Sequence, residues 1–226
     1  MCGRFAQSSP PEVLARQFRV AGALPDETRP SWNVAPSQLA LVVRRNPETG
    51  FRHLDPLLWG LVPHWTKDLK SARRPINARA ETVTSSPMFA PAYKKRRCLV
   101  PADTWYEWKA LGRGKQPYAF ASHDREPLAL AGLWESWTQT GMGKILRTFT
   151  ILTTEANRLA ATVHDRMPVI IRPADWPLWL GEEEGDPAAL LRPASDELLE
   201  SWPVSPAVGN IRNNGPELLR SNSHSQ

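Results

Sequence analysis

Residues 97–109 read RCLVPADTWYEWK, a run dominated by aliphatic and aromatic residues, the composition of a β-strand rather than of a surface helix. Strand alternation puts Trp105 and Glu107 on one face and Tyr106 and Trp108 on the other. A carboxylate wedged among three aromatics is partly desolvated, which raises its pKa toward the range useful for proton transfer. The plainer alternative is that Glu107 is the wet side of an edge strand.

Further runs of the same kind occur on both sides: LALVVRR (39–45), PLLWGLVP (56–63), PYAFAS (117–122), PLALAGLWESWT (127–138) and LRTFTILTT (146–154). GRGKQP (112–117) lacks the spacing of a phosphate-binding loop and reads as a hairpin turn. Helical stretches are expected between and after the strands, at ARAETV (78–83), NRLAATVH (157–164), ADWPLWL (174–180) and DPAALLR (186–192). Another starts at Ser9, ahead of Pro10 and Pro11, with Val13, Leu14 and Phe18 as its apolar stripe to about Val20. Strands at this spacing with few helices inserted predict an α+β fold, a mainly antiparallel sheet or barrel core with flanking helices.

The chain has 226 residues, 41% of them apolar and 23% charged, enough for one large domain with a real core. The 22 prolines cut it into short elements, and neither a repeat nor a convincing linker divides it. A single domain over residues 1–220 is expected, with a polar, disordered tail at 221–226. No apolar run approaches the roughly 18 residues of a membrane span, and a long apolar leader is absent, so a cytoplasmic protein is expected. Two cysteines, Cys2 and Cys98, are too few for a disulfide framework and stand far from any metal spacing. With 28 basic against 23 acidic residues the net charge is +5, which favours a polyanionic partner. Ten tryptophans could stack on bases, although core packing is the plainer use of most of them.

The segment MCGRFAQ (1–7) carries the most unusual chemistry. If Met1 is trimmed, Cys2 holds a free amine beside its thiol. Such an amine condenses with an aldehyde to a Schiff base, and the thiol closes on the imine at high effective molarity. Asn77, in RRPINARAETV (73–83), reads either as a helix N-cap or as an amide that orients an amine or holds an oxyanion. Arg79 beside it could take a phosphate. His164, in ATVHDRMP (161–168), is expected near the end of a short helix and reads as a general acid or base or as a cap. KKRR (94–97) reads as a solvated helix end or a phosphate contact. The other histidines form no ligand pattern, so neither a metal nor a cofactor is expected.

The order of these motifs is more specific than any one of them: MCGR (1–4), NVAP (33–36), WGLVPHW (59–65), INARAET (76–82), ADTWYEW (102–108), HDRMP (164–168) and AVGNIRNNGPE (207–217). The set resembles the SRAP family, the SOS response-associated peptidases, from Cys2 to about Leu218. That resemblance implies a sensor of abasic sites in single-stranded DNA that forms a covalent thiazolidine through Cys2 and acts as a monomer, at the nucleoid when bound. It further implies that Asn77 positions amine and sugar, that Glu107 shuttles protons, and that His164 protonates the sugar oxygen. Arg4, Arg79 and Arg166 would hold phosphates around the lesion, and Trp65 would contact DNA. One departure is Thr66, where relatives often carry a second aromatic after Trp65; Thr104, where glycine is common, is another. A cysteine-dependent peptidase using Cys2, Glu107 and His164, and a non-enzymatic single-strand binder, are the competing readings.

Overall fold

Asp103 splits the 97–109 stretch between two sheets. Its backbone N–H donates to the Ala6 carbonyl at 2.9 Å, and its carboxylate accepts from the backbone N–H of Ser8 and Ser9. The chain bends there, so what reads as one long strand is two. The computed structural model describes residues 2–25, 29–139 and 143–222. In chain order the elements are β1 (Phe5–Gln7), α1 (Pro11–Gln17), β2 (Ser31–Val34), β3 (Leu39–Arg45), β4 (Arg52–Trp59), β5 (Asn77–Arg79), α2 (Ala90–Lys95), β6 (Arg97–Ala102), β7 (Thr104–Ala110), β8 (Lys115–Ser122), β9 (Leu128–Thr138), β10 (Ile145–Glu155), α3 (Arg158–Ala161), β11 (Arg166–Pro168), α4 (Trp176–Leu180) and β12 (Leu199–Pro203).

Five strands close into a barrel. β10 pairs with β4, β4 with β3, β3 with β6, β6 with β9, and β9 returns to β10. Pairing is antiparallel except where β4 and β5 run parallel to β10. Closure leaves these strands no edge to template association. Alternation along them fills the inside with Val42, Leu57, Trp59, Cys98, Val100, Leu130, Phe149 and Ile151. The opposite faces, Leu41, Val43, Leu99, Ala131 and Leu152, pack beneath α1 and α4 through Leu14, Trp176 and Trp179. A second sheet, β12–β8–β7–β1–β2, lies at one end, and its Phe5, Trp105 and Phe120 join the barrel's inner cluster.

The α+β fold expected from the sequence is therefore present, and of its two expected forms, sheet or barrel, the core takes the barrel; GRGKQP leads through the β7–β8 turn, with Ala110 opposite Lys115. Two of the expected helices change. ARAETV is not a helix: Asn77–Arg79 forms β5, held parallel to β10 with Asn77 opposite Ile151, so Asn77 caps nothing. Tertiary pairing overrides the helix propensity of the alanines here. DPAALLR forms only a short 3₁₀ turn at Pro187–Leu190. At the C-terminal end Ser221 bridges Val204 and the Asn222 N–H donates to the Pro203 carbonyl. The rest of the expected tail, 223–226, lies outside the described residues.

Candidate functional site

Cys2 precedes β1 and is fully buried in the inner cluster with Phe5, Trp59 and Trp105. The segments that carry the other candidates converge on this cluster. Ile76 before Asn77, Val163 before His164, and Tyr118, opposite Glu107 on the β7–β8 ladder, all pack against this same cluster. Burial pushes the Cys2 thiol well up, and the nearby Glu107 carboxylate adds to the shift. Glu107 itself lies on β7, a central strand flanked by β1 and β8 rather than an edge. Burial pushes its carboxyl up to about 7 against the pull of the chain's amino group, and the negative charge of Asp165 adds to the rise. The alternation read from the sequence holds, since Tyr106 and Trp108 belong to a separate cluster on the other face.

His164 follows α3, its backbone N–H donating to the Ala160 carbonyl at 2.9 Å. The short helix forms because Asn157 caps it, its side-chain oxygen accepting from the Ala160 N–H at 2.9 Å. The Arg166 N–H donates to His164 Nδ1 at 3.0 Å, and Asp165 Oδ1 lies 2.9 Å from that nitrogen. Partial burial lowers the imidazole pKa, while the Asp165 charge acts in the opposite direction. Asn77 contributes an amide whose nitrogen and oxygen are both buried and unpaired within the described structure. A buried polar group in that state has a partner to find.

The basic candidates differ in availability. Arg79 is exposed at the end of β5. Arg4 donates to Asn33 Oδ1 and to the Val208 carbonyl, at 2.8 and 2.7 Å, and lies over the Trp108 ring. Arg166 is clasped by Glu81. Trp65 is 47% exposed in the segment joining β4 to β5, edge-on to His64. KKRR ends α2, yet Arg96 pairs with the buried Glu135 and Arg97 bonds the Trp179 carbonyl, so only its lysines are solvated. Asp165, Glu81 and Asn33 were not singled out as site residues, although each lies in one of the family motifs quoted above, HDRMP, INARAET and NVAP.

A cavity of about 520 Å³, lined by Ile170, Arg172, Asp175, Arg192 and Glu197 among others, includes none of these candidates. Among the described residues no cluster of His, Cys, Asp or Glu is arranged to hold a metal ion, and no helix is long and apolar enough to cross a membrane.

The fold is thus a closed barrel with a second sheet, in which Cys2 is buried beside a carboxyl held near neutrality and the chain neighbours of Asn77 and His164 pack on the same inner cluster. The chain belongs to the SOS response associated peptidase (SRAP) family, whose model matches residues 1–211. It is 40% identical to the abasic site processing protein YoqW of Bacillus subtilis, over 98% of this chain and 100% of that one. It is 33% identical to the abasic site processing protein HMCES of Gallus gallus, over 97% of this chain and 77% of that one. A crystal structure of a protein from Bacteroides thetaiotaomicron has the same fold, with a TM-score of 0.88 at 22% identity, covering 97% of this chain and 99% of that one.

Proposed function

We propose that the Met1-free protein captures abasic sites in single-stranded DNA by forming a covalent bond through Cys2. The observation that carries this reading is the pairing of a buried Cys2 with Glu107, whose carboxyl is held at about 7. The names of the relatives point to the same lesion.

Loss of Met1 makes the Cys2 nitrogen a primary amine with a reference pKa of about 7.7 to 8.0. That amine adds to the aldehyde of the ring-opened sugar, and water leaves to give a Schiff base. The thiol sulfur then adds to the imine carbon while its proton passes to Glu107 and on to the imine nitrogen, closing a five-membered thiazolidine. Burial keeps the thiol protonated, so a base must act as sulfur attacks, and a carboxyl of pKa about 7 is half ionised at neutral pH. Asn77 hydrogen-bonds the amine or the departing hydroxyl, and His164 protonates the sugar oxygen during ring opening. Arg79, with Arg4 and Arg166, holds flanking phosphates through salt-sensitive contacts, and Trp65 stacks on a base. The protein works as a monomer in the cytoplasm, at the nucleoid when bound.

The family's description as peptidases favours a second use of the same groups, removal of Met1 by the chain itself. Methionine released by purified Met1-bearing protein, and lost in Glu107→Gln, supports that use; unchanged release in the variant removes Glu107 from it.

The main reading is tested by denaturing electrophoresis of Met1-free protein with single-stranded DNA holding one abasic site. A heat-stable shifted band requiring both the lesion and Cys2 is expected. Native-gel binding without such a band, unchanged in Cys2→Ala, leaves a passive binder.

A further inference from the structure

His164 Nδ1 has a hydrogen-bond donor on one side and an acceptor on the other. The Arg166 N–H lies 3.0 Å away and Asp165 Oδ1 2.9 Å away. A ring nitrogen cannot serve both at once. Unprotonated, Nδ1 accepts from Arg166; protonated, it donates to Asp165. The neutral ring held by Arg166 carries its only proton on Nε2, and giving that proton up would leave an imidazolate. A general acid must therefore be the imidazolium, the state in which Asp165 has a role.

We infer that Asp165 is a positioning residue that holds the Nδ1 proton of His164, so that Nε2 can give a proton to substrate and take it back. In the transfer the Nε2–H bond breaks and an O–H bond forms on the sugar oxygen. The Nδ1–H bond persists, directed at Asp165, and the Nε2 lone pair left behind is the base for the reverse step. This inference rests on the crosslinking function proposed above.

The charges around the ring single out Asp165. The chain's amino group and, more weakly, Lys115 on β8 act on His164 in the opposite sense, disfavouring the imidazolium. The Arg166 guanidinium is turned to Glu81, Arg158 on α3 is tied to Asp196, and Glu200 on β12 is tied to Arg125. Glu107 on β7 feels the same Asp165 charge, which raises its pKa as well. One exposed carboxylate thus shifts the acid and the base of the site in the same direction.

The test uses full-length Met1-free protein, with Asp165→Asn as the variant and Asp165→Glu as the conservative control. Asp165 is 86% exposed in its side chain, so neither change disturbs packing. Two readouts are taken: the His164 ring ¹⁵N titration, and the pH profile of crosslinking to an abasic oligonucleotide. Asp165→Asn should move the His164 midpoint to lower pH by about half a unit or more at low salt, and less at high salt. Both limbs of the crosslinking profile should move the same way, and Asp165→Glu should restore them. An unmoved midpoint, or a lower amplitude between unmoved limbs, overturns the inference. If the wild-type protein forms no crosslink, the functional reading fails, and the ¹⁵N midpoint still decides whether Asp165 holds the Nδ1 proton.

Discussion

Arg166 and Glu81 are joined at two points, Nη1 to Oε1 at 2.5 Å and Nη2 to Oε2 at 2.9 Å. The link passes across β10, where Nη2 also donates to the Thr153 carbonyl at 2.7 Å. Hydrogen bonding to Arg166 holds the Glu81 carboxyl below its ordinary range despite partial burial. A guanidinium assigned to a DNA phosphate therefore already holds an anion in the fork geometry that phosphate would use.

It follows that Glu81 competes with DNA. Glu81→Gln should tighten binding of undamaged single-stranded DNA several-fold at low salt and steepen the salt dependence by up to about one phosphate's worth. Arg166→Ala should do the reverse. Equal weakening by both, measured by fluorescence anisotropy over a salt series, would show that the pair serves the fold alone.

The pH dependence of stability follows from Glu107. Its pKa rises on folding from 4.5 to about 7, so the folded state binds more protons between those values and stability falls as pH rises through that window. The penalty is complete about one unit above pH 7, at roughly 3.5 kcal/mol as an upper figure from about 1.36 kcal/mol per unit. Denaturant titrations should show Glu107→Gln more stable than wild type at pH 8, with the gap closing toward pH 4, while crosslinking is lost. A gap independent of pH would mean that the carboxyl is not held near neutrality.

How far the sequence foretold this arrangement depends on the range of the interaction. Strand alternation found the two faces of Trp105–Trp108, because the period of two is a local property. The same locality misled at 78–83, where alanines favour a helix but β10 recruits Asn77–Arg79 as a strand. The choice between open sheet and closed barrel stayed undecided for the same reason: the parallel registration of Phe149 with Trp59 joins segments some 90 residues apart. Of the site, Cys2, Asn77, Glu107 and His164 were named as residue types with reactive potential and by their family motifs. The electrostatic coupling of Cys2 to Glu107, and the occupation of Arg166 by Glu81, come only from long-range packing.

Asn77 offers a test in which stability and activity part company. Both polar atoms of its amide are buried without partners, so replacing it removes no hydrogen bond from the free protein and relieves a desolvation cost. Asn77→Leu should leave the melting temperature unchanged or raised, while crosslinking slows by about a hundredfold or more, the usual loss when one preorganised polar contact is removed. A cooperative loss of stability together with activity would assign the amide a structural role instead.

Gly132 tests the barrel that carries the site. It sits on β9 opposite Cys98 of β6 and Ile151 of β10, at the seam where the sheet closes. A Cβ there would lie 2.9 Å from Cys98 Sγ, 3.1 Å from Val100 Cγ2 and 3.2 Å from the Thr150 carbonyl oxygen. Two of these neighbours belong to the inner cluster that also buries Cys2, and the third is backbone that cannot turn aside. Gly132→Ala should therefore cost about 1 to 3 kcal/mol of stability through overpacking. Adding Cys98→Ala removes the nearest atom but leaves the other two, so the double variant should recover only part of that loss relative to Cys98→Ala alone. Equal effects of Gly132→Ala in the two backgrounds, by urea denaturation, would show that the sulfur does not limit the space and that the strain lies in the β9–β10 backbone.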